Sequence, residues 1–272
     1  MKSTRRQFIG RLAALPAVAA LAGQAVAKPG PAWRMGSQSY SFRKFDTIGA
    51  INGVKKLGLE NIEFCGVHFP CDAADPGLGK VQEIIKEMGI NVLSYGVESF
   101  GADDAANRKK FEFAKAMGIG ILTADPEPES FDSLDKLTEE FKVKIAIHNH
   151  GPNARYNSFQ DTLDAIKDHS PMIGACVDTG HVIRSNEKPH EVLAAIGDRV
   201  HSMHLKDWIH GGEEQILGEG DIDLVAVAKV LKEMKFNGPL MMEYENSPEN
   251  PGPDMAIGLA NWNKAVDAVW TA

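Results

Sequence analysis

The chain has 272 residues, with 29 Lys and Arg against 37 Asp and Glu, for a formal charge of −8. A surface this negative repels phosphate backbones and argues against a nucleic-acid partner. The odd cysteine count (Cys65, Cys71, Cys176) argues against a disulfide framework. Cys65 and Cys71 could still close the short loop between them, and free thiols are the alternative.

In chain order, the first element is residues 1–27, "MKSTRRQFIGRLAALPAVAALAGQAVA". Arg5 and Arg6 precede Gln7 and Phe8, an Ala-rich run follows, and Ala25-Val26-Ala27 offers small residues for cleavage. This pattern is expected to be a twin-arginine export signal, giving a periplasmic or otherwise exported protein. The apolar run is interrupted by Pro16 and falls short of the ~20 residues a bilayer span needs, so no membrane attachment is expected after signal removal. Loss of Lys2, Arg5, Arg6 and Arg11 takes the formal charge to −12.

Residues 28–272 alternate short apolar runs with amphipathic stretches. The runs are "RMGSQSYSF", "NIEFCG", "NVLSYGVES", "GILTADP", "KIAIHNHG", "IGACVDTGH", "VHSMHLKDW" and "PLMMEYEN". Helix-like segments such as "LGKVQEIIKEMG" and "DIDLVAVAKVLKEMKFNG" lie between them, with Gly58, Gly89, Gly118 and Gly238 placed as helix C-caps. Strands alternating with helices imply parallel pairing, and eight such units predict a single-domain (β/α)8 TIM barrel. A doubly wound open sheet is the alternative.

Side chains alternate across a strand, so the apolar set facing the helices identifies the inward set. Glu63 and Cys65 then point inward, as do Ala146 and His148, Cys176 and Asp178. So do Ser202, His204 and Lys206, and Met241, Glu243 and Glu245. His148, Asp178, His204 and Glu243 each fall late in a strand, toward the C-terminal face where barrel enzymes keep their chemistry. Singly, an inward His is usually a satisfied core residue, and a late Asp or Glu often only caps a helix. Four strands repeating the placement point to one divalent cation, which compensates converging carboxylates. Mixed nitrogen and oxygen ligands suit Mn, Co, Zn or Fe(II) better than Ca, with Mg also open.

The motifs "IHNHG", "VDTGH", "VHSMHLKD", "LGEGDIDL" and "MMEYE", in this order, resemble the xylose isomerase-like TIM barrels, over about residues 33–270. That group includes sugar isomerases and epimerases, inosose dehydratase and the endonuclease IV group. The resemblance implies one catalytic cation held by Glu, Asp, His and Glu. Asp178, followed by His181 in a "DxxH" motif, His204 and Glu243 match three of these, but His148 stands where the first glutamate is expected. A symmetric pair of glutamate proton carriers is then missing. Glu243 remains the best general base, with His150, His181, Lys206 and Glu98 as further acid/base candidates and Glu63 behind them.

The expected chemistry is proton removal beside a carbonyl through an enediolate. Isomerisation or epimerisation of a keto sugar follows, or loss of a β-substituent as a lyase or dehydratase. Glu63, Glu98 and Trp208 are candidate substrate contacts; Trp33 and Trp208 either stack on a sugar or belong to the core. Lys206 stabilises negative charge or pairs with Asp207 or Glu245, and "HGGEEQILGEG" covers the mouth or is an ordinary loop.

"HNH" is also a nuclease motif, but there it sits in a ββ-metal finger. A phosphodiesterase would need two or three cations, with ligands added from His150, His181, His201 and Glu63. A sugar-binding protein without turnover is the other rival class. The expected partner is a small carbohydrate, and homo-oligomerisation stays open.

Overall fold

The computed structural model describes residues 31–271. The expected export signal, residues 1–27, lies outside the described residues. In chain order the elements begin with β1 (Arg34–Gln38), α1 (Thr47–Lys56), β2 (Asn61–Phe64), α2 (Leu78–Met88) and β3 (Asn91–Phe100). Next come α3 (Asp104–Met117), β4 (Ile121–Pro126), α4 (Phe131–Phe141), β5 (Lys144–His148) and α5 (Phe159–Ile166). Then follow β6 (Ile173–Asp178), α6 (Thr179–Arg184), α7 (Pro189–Ile196), β7 (Val200–Leu205) and β8 (Asp207–Trp208). The last are β9 (Glu214–Gln215), α8 (Leu224–Glu233), β10 (Pro239–Met242) and α9 (Gly252–Trp270).

Strands β1, β10, β7, β6, β5, β4, β3 and β2 pair in parallel, in that order, and close on themselves. The closed barrel rules out the open doubly wound sheet. Helices start where short polar side chains satisfy the free N–H groups of the first turn. Asp46 caps α1, Asp103 caps α3 and Asp223 caps α8, while Ser158 and Asp161 form a capping box on α5. Among the described residues no helix is long and apolar enough to cross a membrane.

Gly58, Gly89 and Gly118 adopt the positive φ expected of residues ending a helix. Gly238 does not. Lys235 takes the left-handed conformation after α8, and Gly238 serves a close approach instead, since a Cβ there would lie 2.5 Å from His201 O. Trp33 belongs to the core, packing against Trp262 and Trp270 with ring centroids 5.7 and 5.0 Å away. All three cysteines are free, so Cys65 and Cys71 do not pair. The segment 210–220 is no plain loop: β8 and β9 form a small antiparallel pair, and Glu214 on β9 is buried.

Ile147, Val177, Met203 and Leu240 are fully buried with the helix-facing core, whereas Ile121, Ala146 and Cys176 form a separate small cluster inside the barrel. Toward the strand C-termini the interior becomes polar.

Candidate metal centre and cavity

His148 is the last residue of β5, Asp178 the last of β6, and His204 sits on β7 opposite Asp178 in register. Glu243 follows β10, and its N–H donates to Leu205 O at 3.0 Å, which extends the pairing by one residue. Register pairs Asp178 with His204 and sets His148 beside Cys176 and Glu243 two residues beyond Met241, and the four side chains converge at the C-terminal mouth. Each offers a ligand atom, and the four atoms lie within 4.8 Å of one another. His148 Nε2 is 3.0 Å from His204 Nδ1 and 3.6 Å from Asp178 Oδ2. His204 Nδ1 is 3.4 Å from Glu243 Oε2.

Apart from the contact between His148 Nε2 and His204 Nδ1, which a cation would replace, hydrogen bonding leaves the inward atoms open. Asp178 Oδ1 accepts the His181 N–H at 2.8 Å as the N-cap of α6, while its buried Oδ2 has no hydrogen-bond partner. A buried carboxylate oxygen left unpaired costs several kcal/mol, on the order of the ion-desolvation penalty. On the far side of His204, Nε2 donates to Glu63 Oε1 at 3.0 Å, so Nδ1 can present its lone pair to the cluster. Metal-binding histidines are commonly oriented by a carboxylate in this way. Two nitrogens and two carboxylate oxygens, one of them an orphaned acceptor, fit a divalent cation, and His148, Asp178, His204 and Glu243 are the residues that would hold it.

A cavity of about 570 Å³ opens beside the cluster, lined by Gln38, Tyr40, Cys65, His148, His150, His181, Arg184, Glu243 and Glu245, among others. The His150 ring lies 4.6 Å from that of His148. Burial, with His148 adding to it, lowers the His150 pKa to about 4. Burial likewise lowers His181 to about 3, against the opposing pull of Asp178. For Glu243, burial works against ionisation, but Lys206 and His204 outweigh it and bring its pKa down to about 2.

Lys206, expected among the acid/base groups, is only 1% exposed and does not line the cavity. Its Nζ pairs with Glu245 and lies 3.7 Å from Glu243 Oε2 and 3.9 Å from Glu214 Oε1. Burial opposes its charge, yet Glu243, Asp178, Glu245 and Glu214 hold its pKa above the usual value.

Three expected substrate contacts are placed elsewhere. Glu63 is fully buried and bonds Gln38, Ser94, Thr123 and His204, so it supports the cluster from below. Glu98 pairs with Lys110 of α3 at 2.9 Å, because the β3–β4 register shifts between Tyr95 and Glu98 and Val97 lines the cavity instead. Trp208 donates from Nε1 to Gly212 O and stacks with Arg184, outside the cavity lining. His201, a candidate extra ligand, faces Ile145 O and Pro171 O near the start of β7, away from the mouth.

Two residues not among the site candidates complete the surroundings, and Asp207 is not the partner of Lys206. Asp207 accepts N–H bonds from Trp208, Gly218, Gly220 and Ile222, folding the chain after β9 back onto β8. Glu214 accepts the N–H groups of Glu245 and Asn246, and burial pushes its pKa up to about 7. The signal for Asp207 was the glycine pair in "LGEGD", which marks a tight backbone wrap. Glu214 had no signal, being one of two adjacent glutamates in a polar stretch.

Residues 51–265 match the Xylose isomerase-like TIM barrel family. The chain belongs to that family. Among relatives, an inosose dehydratase from Clostridium botulinum is 27% identical over 141 residues, covering 45% of this chain and 47% of that protein. This xylose isomerase-like barrel thus spans about half the length of that relative. An inosose dehydratase from Clostridium beijerinckii is 26% identical over 234 residues, covering 75% of this chain and 76% of the other. A crystal structure of a D-tagatose 3-epimerase-like protein superposes with a TM-score of 0.70 at 17% identity, covering 87% of this chain and 98% of that one. At that identity the likeness shows the fold.

Proposed function

We propose that this protein is a metal-dependent lyase acting on a keto sugar or cyclic keto-polyol. It removes the proton beside the ketone and expels a β-substituent. The observation that carries this reading is the asymmetry of the cavity walls. Both lining carboxylates, Glu243 and Glu245, follow the single strand β10. The walls after β5 and β6 carry His150, His181 and Arg184 instead. Epimerisation uses a proton carrier on each substrate face, and an imidazole, His148, stands where the matching second glutamate is expected. Elimination needs one base and groups that bind departing oxygen. The inosose dehydratase relatives support the same choice.

A divalent cation held by His148, Asp178, His204 and Glu243 would supply Lewis acidity to a ketone oxygen and so acidify the neighbouring C–H. Glu243, kept ionised by Lys206, accepts that proton. The C–H electron pair becomes the new C=C bond, the C–O bond to the β-substituent breaks, and the proton passes to the departing oxygen. His150 and His181, uncharged at neutral pH, offer ring N–H groups to substrate oxygens. Glu63 holds His204 in place, and Lys206 acts through Glu243 and Glu245 without touching substrate.

The test is incubation of the metal-loaded protein with a panel of keto sugars in deuterated water, with and without chelator. Expected are chelator-sensitive deuterium exchange beside the carbonyl and growth of enone absorbance. Exchange with all carbon–oxygen bonds retained would move the assignment to epimerisation or isomerisation, the outcomes expected from the sequence. No exchange with any substrate would sink proton abstraction altogether. Export through residues 1–27 belongs to the same reading, since phosphorylated sugars are mainly intracellular and a free keto sugar fits an exported enzyme. Cell fractionation tests it.

A further inference from the structure

We infer that the substrate carries a carboxylate, bound by Arg184 on the cavity wall one imidazole beyond the metal cluster. The inference rests on the proposed reaction for the identity of the reacting end. Arg108 and Arg155 meet carboxylates and Arg43 and Arg199 meet backbone carbonyls, while Arg34, at the opposite end of the barrel where β1 begins, lies outside the cavity. Among the described residues Arg184 has no carboxylate within 4.0 Å. Its Nη1 donates to His181 Nδ1 at 2.9 Å, leaving further N–H donors of the fork free.

The guanidinium is nonetheless held in place. Its Cζ lies 4.7 Å from the centre of the Trp208 ring, and Gly151 clears space for it. A Cβ at 151 would lie 2.7 Å from that Cζ. Residue 151 closes "IHNHG" and residue 208 ends "VHSMHLKDW", so the segments that build the metal cluster also shape a seat for a cation. The other cavity charges are spoken for: Glu245 pairs with Lys206, and Glu243 faces His204 and Lys206. A stacked, oriented and unneutralised guanidinium on a cavity wall matches a planar carboxylate. His181 separates it from the cluster, with its ring 5.7 Å from that of His148. A sugar ring bridging the two would present its ketone to the cluster and an exocyclic carboxylate to Arg184, as in a keto-uronic acid.

The experiment is calorimetric titration of the metal-loaded protein with D-glucuronate, D-glucose and D-glucose 6-phosphate. Glucuronate is expected to bind about tenfold or more tightly than glucose, the order of a charge-assisted hydrogen bond. In Arg184→Gln the ratio should fall toward one, in Arg184→Lys it should fall partway, and Gly151→Ala should lower it by displacing the guanidinium without changing charge. Equal binding of glucuronate and glucose, failure of both to bind, tighter binding of the phosphate ester, or a ratio indifferent to Arg184→Gln each overturns the inference. Deuterium exchange into a neutral keto sugar and its carboxylate counterpart separates the two claims. Exchange without carboxylate preference leaves the reaction standing and removes the anion site. A preference in binding without exchange in either does the reverse.

Discussion

Glu63 and His204 meet at 3.0 Å on the side of the imidazole that faces away from the metal cluster. That contact makes a residue 141 positions upstream in sequence responsible for which nitrogen of His204 faces His148, Asp178 and Glu243.

Glu63→Gln keeps the shape but replaces the carboxylate that accepts from Nε2. Cation affinity should fall roughly 10- to 100-fold, the usual cost of losing such a supporting carboxylate. Equilibrium dialysis against a chelator measures it. An unchanged affinity would mean that His204 does not depend on Glu63 for its orientation.

Asp178 carries two tasks on two oxygens: Oδ1 caps α6 and Oδ2 faces the cluster. Asp178→Asn keeps a capping oxygen and removes the charge, so cation binding should be lost with little change in stability. Asp178→Ala should lose the cation and a further ~1 kcal/mol, the typical worth of an N-cap. Urea midpoints and metal content on both variants separate the roles, and equal destabilisation by the two would contradict the division.

Cation uptake should also move a proton. Burial opposes charge on His204, but the Cys176 sulfur, Glu63 and Glu243 outweigh it and hold the pKa well above the usual histidine value. The raised pKa favours a second proton on the cation-free ring, and a proton on Nδ1 must leave before that atom can ligate. Release of about one proton per cation is expected, with affinity rising as pH rises toward the His204 pKa. Calorimetry in buffers of different ionisation enthalpy reads the proton count. Uptake with no proton released would mean that the cation-free His204 is already neutral, with Nδ1 unprotonated.

The barrel and the four-residue cluster were legible because period-2 alternation is a backbone property. Ile145, Ile147, Ala175 and Val177 had to face helices, which left His148 and Asp178 inward with no knowledge of their neighbours. No alternation reading supported Glu98 as a candidate, and β3 shifts register there; Gly96 marks the place, since a Cβ there would lie 2.2 Å from Thr123 O. Alternation also could not rank depth. Glu63 and Glu243 both point inward, but one is enclosed by Gln38, Ser94 and Thr123 while the other reaches the cavity. Contacts across the mouth, such as Glu214 with Glu245 and Asp207 with Gly220, join segments whose spacing has no period, so only the folded chain reveals them.

The wrap around Asp207 offers a separate test. Asp207→Ala leaves the N–H groups of Gly218, Gly220 and Ile222 without their acceptor. A loss of roughly 1–3 kcal/mol is expected for groups left unpaired there. Amide hydrogen exchange should show residues 218–222 losing protection while the barrel strands keep theirs. Unchanged protection would mean that the carboxylate does not hold the segment.

The most direct measurement is anomalous scattering from crystals grown with Mn²⁺, together with metal content per chain in solution. One cation per chain is expected, with density at the point shared by His148, Asp178, His204 and Glu243, at bond lengths of about 2.0–2.3 Å. Two or more bound ions, density elsewhere in the barrel, or a cluster that stays metal-free at saturating Mn²⁺ would contradict a single four-ligand centre.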